Sequence, residues 1–206
     1  VGTGGGSIAG ISDIGALTVG PRSAGANPGP ACYGHGGEEP TVTDAHLTLG
    51  HLPPYLLSGT MTLDAEAARN AIDRKVAQPL GLSIEEAARG ILSIGDNDMV
   101  GAIRVVSVER GHDPRDFALI AFGGAGPLHG GSLAKLLGVK TVIIPPTPGV
   151  LSAMGLLVSQ FRADYARTCL EGPPEYNHAR MGQTFDELEN EATAWFDRER
   201  VPAKAR

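Results

Sequence analysis

The spacing of apolar positions predicts a strand–helix–strand unit in the second half of the chain. Residues 117–122 form a short apolar run, as a buried strand does. A glycine-rich turn follows, and leucines then recur at helical spacing up to Gly138, which is suited to end a helix. Residues 140–144 predict a second strand, and 150–159 a buried helix. Two strands joined by a helix imply a parallel pair, with ligands beyond the carboxyl ends of the strands.

The first part of the chain predicts a hairpin and a long loop. Apolar residues at 7–12 and 16–19 flank a turn, which indicates two short strands. Residues 20–40 contain several proline and glycine breakers and predict a loop, and loops of this length usually have a function or are mobile. Residues 41–43 predict a short strand that leads to Asp44.

Two capping patterns and one stretch of apolar spacing predict three further helices. Asp64 is suited to cap a helix that ends at Gly81. Ser83 and Glu86 form the capping-box pattern of a long helix, which we expect to run to Arg110 and to contain glycines at a kink or a close helix contact. Apolar residues at near-helical spacing predict an amphipathic helix over 184–200.

The glycine turn is the main indication of function. A turn between a strand and a helix exposes backbone N–H groups at the positive end of the helix dipole, which suits an anionic or nucleotide ligand. Glycine also lets a ligand approach the backbone closely. Close packing of a helix on a sheet explains such a turn equally well, and the spacing is not that of a dinucleotide fingerprint. The candidate ligand-binding residues of the turn are Gly123, Gly124, Ala125 and Gly126.

Composition and charge exclude several classes of protein. With 42% hydrophobic and 19% charged residues among 206, the chain can form a packed core. The net charge of −6 without a basic block argues against a nucleic-acid partner, and no apolar run is long enough to span a membrane. The sequence has no signal-peptide pattern, so we expect a cytoplasmic protein in which Cys32 and Cys169 are reduced thiols. Because the chain starts with Val1 inside a glycine run, we expect a fragment of a longer polypeptide.

A few polar residues are candidates for chemistry, each with a structural alternative. Asp44 is the candidate catalytic residue, to bind a cation or orient a water, and a capping or turn aspartate is the favoured alternative. Arg22 and Ser23 are candidates to contact a phosphate or carboxylate, unless they brace the loop. His129 follows the glycine turn and is more typical of a packing residue.

The remaining thiol and imidazole groups give weaker indications. Cys32 lies three residues from His35, but a structural thiol is the better interpretation because nothing in the sequence indicates a lowered pKa. His46 and His51 form a loose cluster with Asp44, without a standard zinc-ligand spacing, so the metal site is left open.

Three runs of the sequence together resemble one family. They are residues 4–9, residues 19–34 continuing to 41–45, and residues 121–129 continuing to 148–155. In this order they resemble the hydantoinase A/oxoprolinase family, which includes the A component of N-methylhydantoinase, 5-oxoprolinase and acetone carboxylase β-subunits. The resemblance covers about residues 1–170.

The resemblance implies a fold and a nucleotide. The implied fold is the actin-like ATPase fold of sugar kinases and Hsp70, an α/β architecture in which two related domains close on ATP. Residues 1–170 would be the C-terminal half of this region, with a mixed sheet, a parallel strand–helix–strand unit and flanking helices; residues 171–206 would be a linker and the start of a further region. The turn at 123–126 would line the adenine, ribose and α-phosphate. Gly4, Gly5 and Gly6 are further candidates to contact the nucleotide, and a hairpin corner is an equally good interpretation of these glycines.

The resemblance also implies a reaction. Family members use ATP to open a cyclic amide such as hydantoin or 5-oxoproline, or to activate a ketone for carboxylation. The chemistry that the resemblance implies for ring opening is phosphorylation of the carbonyl oxygen. A hydantoinase B-type subunit or domain would be the partner in an oligomer. The D-x-G-G-T hairpins that hold phosphates and Mg²⁺ in the family are not in this sequence, so we expect the main phosphate and Mg²⁺ ligands outside it and no catalysis by this chain alone. A non-catalytic nucleotide-binding or assembly module is the remaining alternative.

Overall fold

The chain folds as two compact units. The computed structural model describes residues 4–160, 162–170 and 176–202. The first unit is Val1–Leu157 and the second is Val158–Arg206. The assignment of 1–170 and 171–206 to parts of a larger enzyme stays a prediction. Val1 and residues 171–175 of the expected linker lie outside the described residues.

The first unit begins with the predicted hairpin. Strand β1, Ser7–Ile11, pairs antiparallel with β2, Leu17–Ser23. Gly15 has a φ of 78° in the turn between them, a conformation that favours glycine. Strand β2 extends four residues beyond the predicted end at residue 19, so the loop is shorter than predicted and contains a 3₁₀ turn at Ala31–Tyr33.

The strand predicted at 41–43 is wrong, because a helix begins there. Helix α1, Val42–Thr48, has Thr41 as its N-cap. The Thr41 hydroxyl accepts the Asp44 N–H, and the Asp44 carboxylate accepts the Thr41 N–H, which together form a capping box. A run of β-branched residues suggested a strand, but the threonine-to-aspartate spacing determines the local structure.

The middle of the first unit is mostly helical. A small hairpin, β3 at Tyr55–Leu56 and β4 at Met61–Thr62, precedes α2, Ala65–Ile72. A π-helical segment, Asp73–Ala77, and α3, Gln78–Leu80, lead to Gly81 in the left-handed conformation. Helix α4, Ile84–Val106, has the predicted capping box. It ends four residues before the predicted Arg110, and a 3₁₀ turn at Val108–Arg110 follows.

The main core lies between the first hairpin, α1, α2 and α4. Its members are small and branched apolar side chains with almost no exposed surface, which allows close helix packing. A smaller cluster lies under the loop, around Cys32 and Leu47. The main-core residues are Ala9, Val19, Val42, Ala45, Ile72, Val76, Ala77, Ala87, Ala88, Ile91 and Leu92.

The predicted parallel unit is present but short. Strand β5, Leu119–Ile120, pairs in parallel with β6, Val142–Ile143, and α5, Gly126–Leu137, connects them. The strand predicted over 117–122 is present only as the two residues of β5, and its predicted burial is wrong, because Phe117 and Ile120 are more than half exposed. Helix α6, Leu151–Val158, was also predicted to be buried, yet none of its residues is. Periodicity identifies apolar faces, but it does not reveal which segment covers them.

The second unit consists mainly of α7, His178–Arg198, which begins before the amphipathic segment predicted at 184–200. Asn177 caps this helix, and the Arg167 guanidinium pairs with Glu187 and Glu191 on it. The described residues thus form a mixed α/β structure with three separate two-stranded sheets. Among them, no helix combines the length and apolar character that crossing a membrane requires.

Candidate functional site

The glycine turn presents open backbone at the start of α5. Gly123 has a φ of 85° and donates its N–H to the Pro148 carbonyl at 2.8 Å, which joins the glycine turn to the proline turn after β6. Ala125 is the N-cap of α5 and gives it no side-chain cap. Gly124 is exposed, and a Cβ placed on it would meet no atom within 4 Å. The turn therefore offers a helix N-terminus that an anion can approach.

Of the N-terminal glycines, Gly5 lies against this turn. A Cβ on Gly5 would lie 3.7 Å from the Ala125 Cβ and 2.8 Å from the Thr43 Oγ1. Thr43 donates both its N–H and its hydroxyl to the Gly5 carbonyl, each at 2.9 Å. The fold thus brings together two glycine segments that are far apart in the sequence, and neighbouring atoms leave no room for a side chain at Gly5.

Arg22 and Ser23 lie at the end of β2 and not in the predicted loop. Ser23 joins the region around Gly6, while Arg22 makes a different contact. A Cβ on Gly6 would lie 2.9 Å from the Ser23 Oγ, which accepts the Gly25 N–H at 3.1 Å. The Arg22 guanidinium pairs with Glu39 at 2.9 Å, and its side chain is 74% exposed. This ion pair favours the loop-bracing interpretation for Arg22.

Asp44 is fully buried, and its carboxylate is saturated with donors. Its oxygens accept the N–H groups of Ala31 at 3.2 Å, Cys32 at 2.8 Å and Thr41 at 2.8 Å, and the Thr41 hydroxyl at 2.8 Å. This carboxylate holds the loop against the start of α1. The geometry favours the capping alternative over the predicted catalytic role, which stays untested.

The thiol of Cys32 is also structural in character. It is free and fully buried. Burial, followed by the negative charge of Asp44, raises its pKa far above the ordinary value. A thiol that stays protonated is a poor nucleophile.

Sequence reasoning missed a chain of three histidines that ends at a buried carboxylate. The His51 Nδ1 lies 3.2 Å from the His46 Nδ1, and the His46 Nε2 lies 3.4 Å from the His129 Nε2. The His129 Nδ1 contacts the Asp96 Oδ1 at 2.6 Å, and the Ser132 hydroxyl donates to the Asp96 Oδ2 at 2.5 Å. We call His51, His46, His129 and Asp96 the histidine chain. The loose cluster of His46 and His51 predicted from the sequence is therefore real, but its carboxylate is Asp96 and not Asp44.

The fold explains why these side chains meet. His46 lies on α1, Asp96 on α4, and His129 and Ser132 one helical turn apart on α5. The spacing of His129 and Ser132 is visible in the sequence, but nothing local indicates that α4 supplies their common acceptor. In the described residues, no three or more His, Cys, Asp or Glu side chains gather in a way that would hold a metal ion.

Burial sets the charges in the histidine chain. His46 and His129 are almost completely buried. Burial, reinforced by the neighbouring histidines, lowers the pKa of His46 from 6.5 to about 4, so this imidazole is neutral at pH 7. Burial of Asp96 opposes its ionisation, but hydrogen bonds from His129 and Ser132 outweigh that effect and keep the pKa of Asp96 below its ordinary value. The chain therefore joins a carboxylate to a neutral central imidazole.

A cavity of about 620 Å³ opens beside the histidine chain. Four leucines and two serines form much of its wall, and Arg89 and Lys135 add two positive charges. His46, His51 and Asp96 also line it. The cavity combines apolar walls with a few polar groups, as small-molecule sites do.

Comparison with known proteins identifies the family. The family model for hydantoinase/oxoprolinase matches residues 1–165. The alpha subunit of caprolactamase from Pseudomonas jessenii is 54% identical over 169 residues, which are 82% of this chain and 24% of that protein. This chain therefore spans about a quarter of the length of that relative.

Two solved structures are similar to the fold described above. The crystal structure of ATP-dependent caprolactamase from Pseudomonas jessenii matches with a TM-score of 0.71 and 45% identity, covering 94% of this chain and 28% of that one. A nucleotide-free structure of acetone carboxylase, an enzyme of ATP-dependent acetone carboxylation, matches with a TM-score of 0.73 and 35% identity, covering 78% of this chain and 23% of that one. With a family model matched over most of its length, this chain belongs to the hydantoinase/oxoprolinase family, in which ATP-dependent cyclic amide hydrolases and ketone carboxylases occur.

Proposed function

We propose that this chain supplies the adenosine-facing side of the ATP site in an ATP-dependent cyclic amidohydrolase. The observation that carries the proposal is the position of Gly5 against Ala125, in the glycine turn at the N-terminus of α5. Open backbone at Gly124 leaves room for the ribose and α-phosphate, and the helix dipole favours the negative charge of the phosphate. In the proposed assembly, this chain is much of the second domain of an actin-like ATPase.

The proposed reaction opens a ring amide of the hydantoin or 5-oxoproline type. Transfer of the γ-phosphoryl group to the carbonyl oxygen removes the amide resonance and supplies a leaving group, so that water can attack the carbonyl carbon. The protein contributes positioning and neutralisation of charge. The residues that would hold Mg²⁺ and the β- and γ-phosphates belong to segments outside this sequence. The similar protein from Pseudomonas jessenii is named an ATP-dependent caprolactamase, and this name supports the proposed class of reaction.

The proposed partner is a hydantoinase B-type subunit or domain within an oligomer. The Pseudomonas jessenii relative is named as an alpha subunit, which supports assembly with a second type of chain. The structural similarity to acetone carboxylase makes a ketone carboxylase the second candidate. Dependence of ATP turnover on bicarbonate would separate the two candidates, because only the carboxylase consumes it.

The test is to substitute Gly124 in the complete protein. A Cβ at Gly124 would meet no atom of the described residues within 4 Å, so we expect the fold to tolerate Gly124→Val, whereas a nucleotide held against this backbone would not. Gly10→Val on β1 is the matched control, because its Cβ also meets no atom within 4 Å. We expect ATP affinity, measured by calorimetry, to fall at least about tenfold for Gly124→Val and to stay unchanged for Gly10→Val.

The outcomes separate the alternatives. Unchanged ATP affinity in Gly124→Val would contradict the adenosine-site assignment. ATP binding without turnover in the presence of hydantoin, 5-oxoproline, caprolactam or acetone would favour the non-catalytic module.

A further inference from the structure

The histidine chain has one consistent arrangement of protons when its imidazoles are neutral. The ionised Asp96 accepts the N–H of His129 Nδ1, which leaves His129 Nε2 as an acceptor. His46 then donates from Nε2 and accepts at Nδ1, and His51 donates from Nδ1. The last free lone pair is on His51 Nε2, and His51 is the exposed member of the chain. Every buried nitrogen has a partner, and the only open base lies at the surface.

This arrangement can carry a proton without moving a side chain. When His51 Nε2 takes up a proton, His51 releases its Nδ1 proton to His46, and His46 releases its Nε2 proton to His129. One N–H bond forms and one breaks at each of the first two imidazoles, and His129 gains one N–H bond. The positive charge then lies on His129, beside the negative Asp96. The carboxylate that stabilises the proton is buried, while the group that accepts it is accessible.

We propose that the histidine chain is a proton relay that serves the neighbouring cavity, and that the cavity binds a weak acid whose proton passes to His51. Loss of that proton leaves an anion, and Arg89 and Lys135 supply the positive charge in the cavity wall that would stabilise it. The ligand class is a small organic acid with an apolar body that fits the leucine-lined wall and a volume well below 620 Å³. This proposal does not depend on the ATP site.

The charged and titratable surroundings of the relay come from three helices and one loop. Helix α1 contributes His46, and the loop after it contributes His51. Helix α4 contributes Arg89 and Asp96, and α5 contributes His129 and Lys135. Asp44, also on α1, has its carboxylate occupied by the four donors described above. Asp96 is therefore the negative charge that this relay uses.

The test measures the protonation of His51 in the complete protein. Diethyl pyrocarbonate acylates an unprotonated imidazole nitrogen, and mass spectrometry of the peptides assigns the product to one histidine. The pH at which His51 loses half of its reactivity reports proton uptake by the chain. Asp96→Asn removes the stabilising charge, so we expect this midpoint to fall by about one pH unit. His129→Gln removes the final acceptor, and we expect a fall in the same direction.

Matched controls separate a relay from a general electrostatic effect. Asp98→Asn removes the same charge from an exposed position on the same helix, and we expect it to leave the midpoint unchanged. His46→Phe removes the central imidazole, and in that background we expect Asp96→Asn to have no further effect on His51. Equal midpoints for Asp96→Asn and Asp98→Asn, or an Asp96→Asn effect that survives in His46→Phe, would overturn the relay. If Asp96→Asn does not fold, His129→Gln carries the same test.

A second measurement addresses the ligand. Acetate, compared with chloride at the same ionic strength, should raise the His51 midpoint, because a carboxylate held in the cavity that Arg89 and Lys135 line stabilises the protonated chain. Lys135→Gln combined with Arg89→Gln should abolish this rise. An acetate effect that persists in the double variant, or no acetate effect in the parent protein, would overturn the organic-acid assignment of the cavity.

Discussion

Asp44 is the residue whose substitution best separates a structural role from a catalytic one. Its carboxylate accepts four hydrogen bonds in a site without exposed surface. In Asp44→Asn, an NH₂ group replaces one carboxylate oxygen. This NH₂ group is a donor and cannot accept the hydrogen bonds that the replaced oxygen accepts. We expect the free energy of unfolding to fall by about 2–4 kcal/mol, measured by urea unfolding.

Asp64→Asn is the matched control for this prediction. Asp64 is an exposed N-cap whose carboxylate accepts one hydrogen bond, from the Ala67 N–H at 2.8 Å. Asparagine caps helices about as well as aspartate, so we expect a change below about 0.5 kcal/mol. A stable Asp44→Asn protein that has lost activity would instead support the catalytic role predicted from the sequence.

The lowered pKa of His46 predicts how the free energy of unfolding depends on pH. This pKa is about 4 in the folded chain and 6.5 ordinarily, so the unfolded state binds the proton more tightly. The stability that neutral His46 contributes is fully present above pH 6.5 and is lost as the pH falls toward 4, by about 3 kcal/mol at most. His46→Gln should flatten the urea-unfolding profile between these pH values. His178→Gln, at an exposed histidine on α7, should leave the profile unchanged.

At the scale of elements, two of the three glycines of α4, Gly90 and Gly101, differ in their surroundings. A Cβ on Gly90 would lie 3.1 Å from the Leu17 Cδ2, while a Cβ on Gly101 would meet no atom within 4 Å. Alanine is favoured over glycine in a helix by about 1 kcal/mol. We therefore expect Gly101→Ala to raise the free energy of unfolding by about 1 kcal/mol, and Gly90→Ala to leave it unchanged or lower it. A stabilising Gly90→Ala would show that β2 and α4 do not pack closely.

The elements also show what the sequence could predict. The caps at Asp64 and Ser83 and the glycines that end helices are local signals, and the structure confirms them. The capping box of Thr41 and Asp44 is an equally local signal, but the β-branched residues beside it led to the prediction of a strand. The histidine chain was not predictable, because α1, α4 and α5 each contribute members and only tertiary packing brings them together.

At the scale of the whole molecule, the first unit leaves apolar strand residues exposed. Ile120 and Ile143 are register partners in the parallel pair and are 53% and 45% exposed. Phe122, after β5, is 48% exposed. Contiguous apolar surface of this kind usually marks an interface, and a two-stranded sheet also leaves unpaired edges. Since the chain spans about a quarter of a relative's length, we expect other parts of the complete protein to cover this face.

If this face is covered in the complete protein, one double substitution should improve the behaviour of the isolated chain and destabilise the complete protein. In the 206-residue chain produced alone, Ile120→Thr with Ile143→Thr should reduce self-association, measured by light scattering, and binding of a hydrophobic dye, because both residues are exposed. In the complete protein, the same substitutions should lower stability, because hydroxyl groups would then be buried without partners. Ile14→Thr is the control: Ile14 is 90% exposed in the hairpin turn and should have little effect in either setting. If the double substitution were neutral in the complete protein, the β5–β6 face would be solvent-exposed there as well, and its apolar residues would need another explanation.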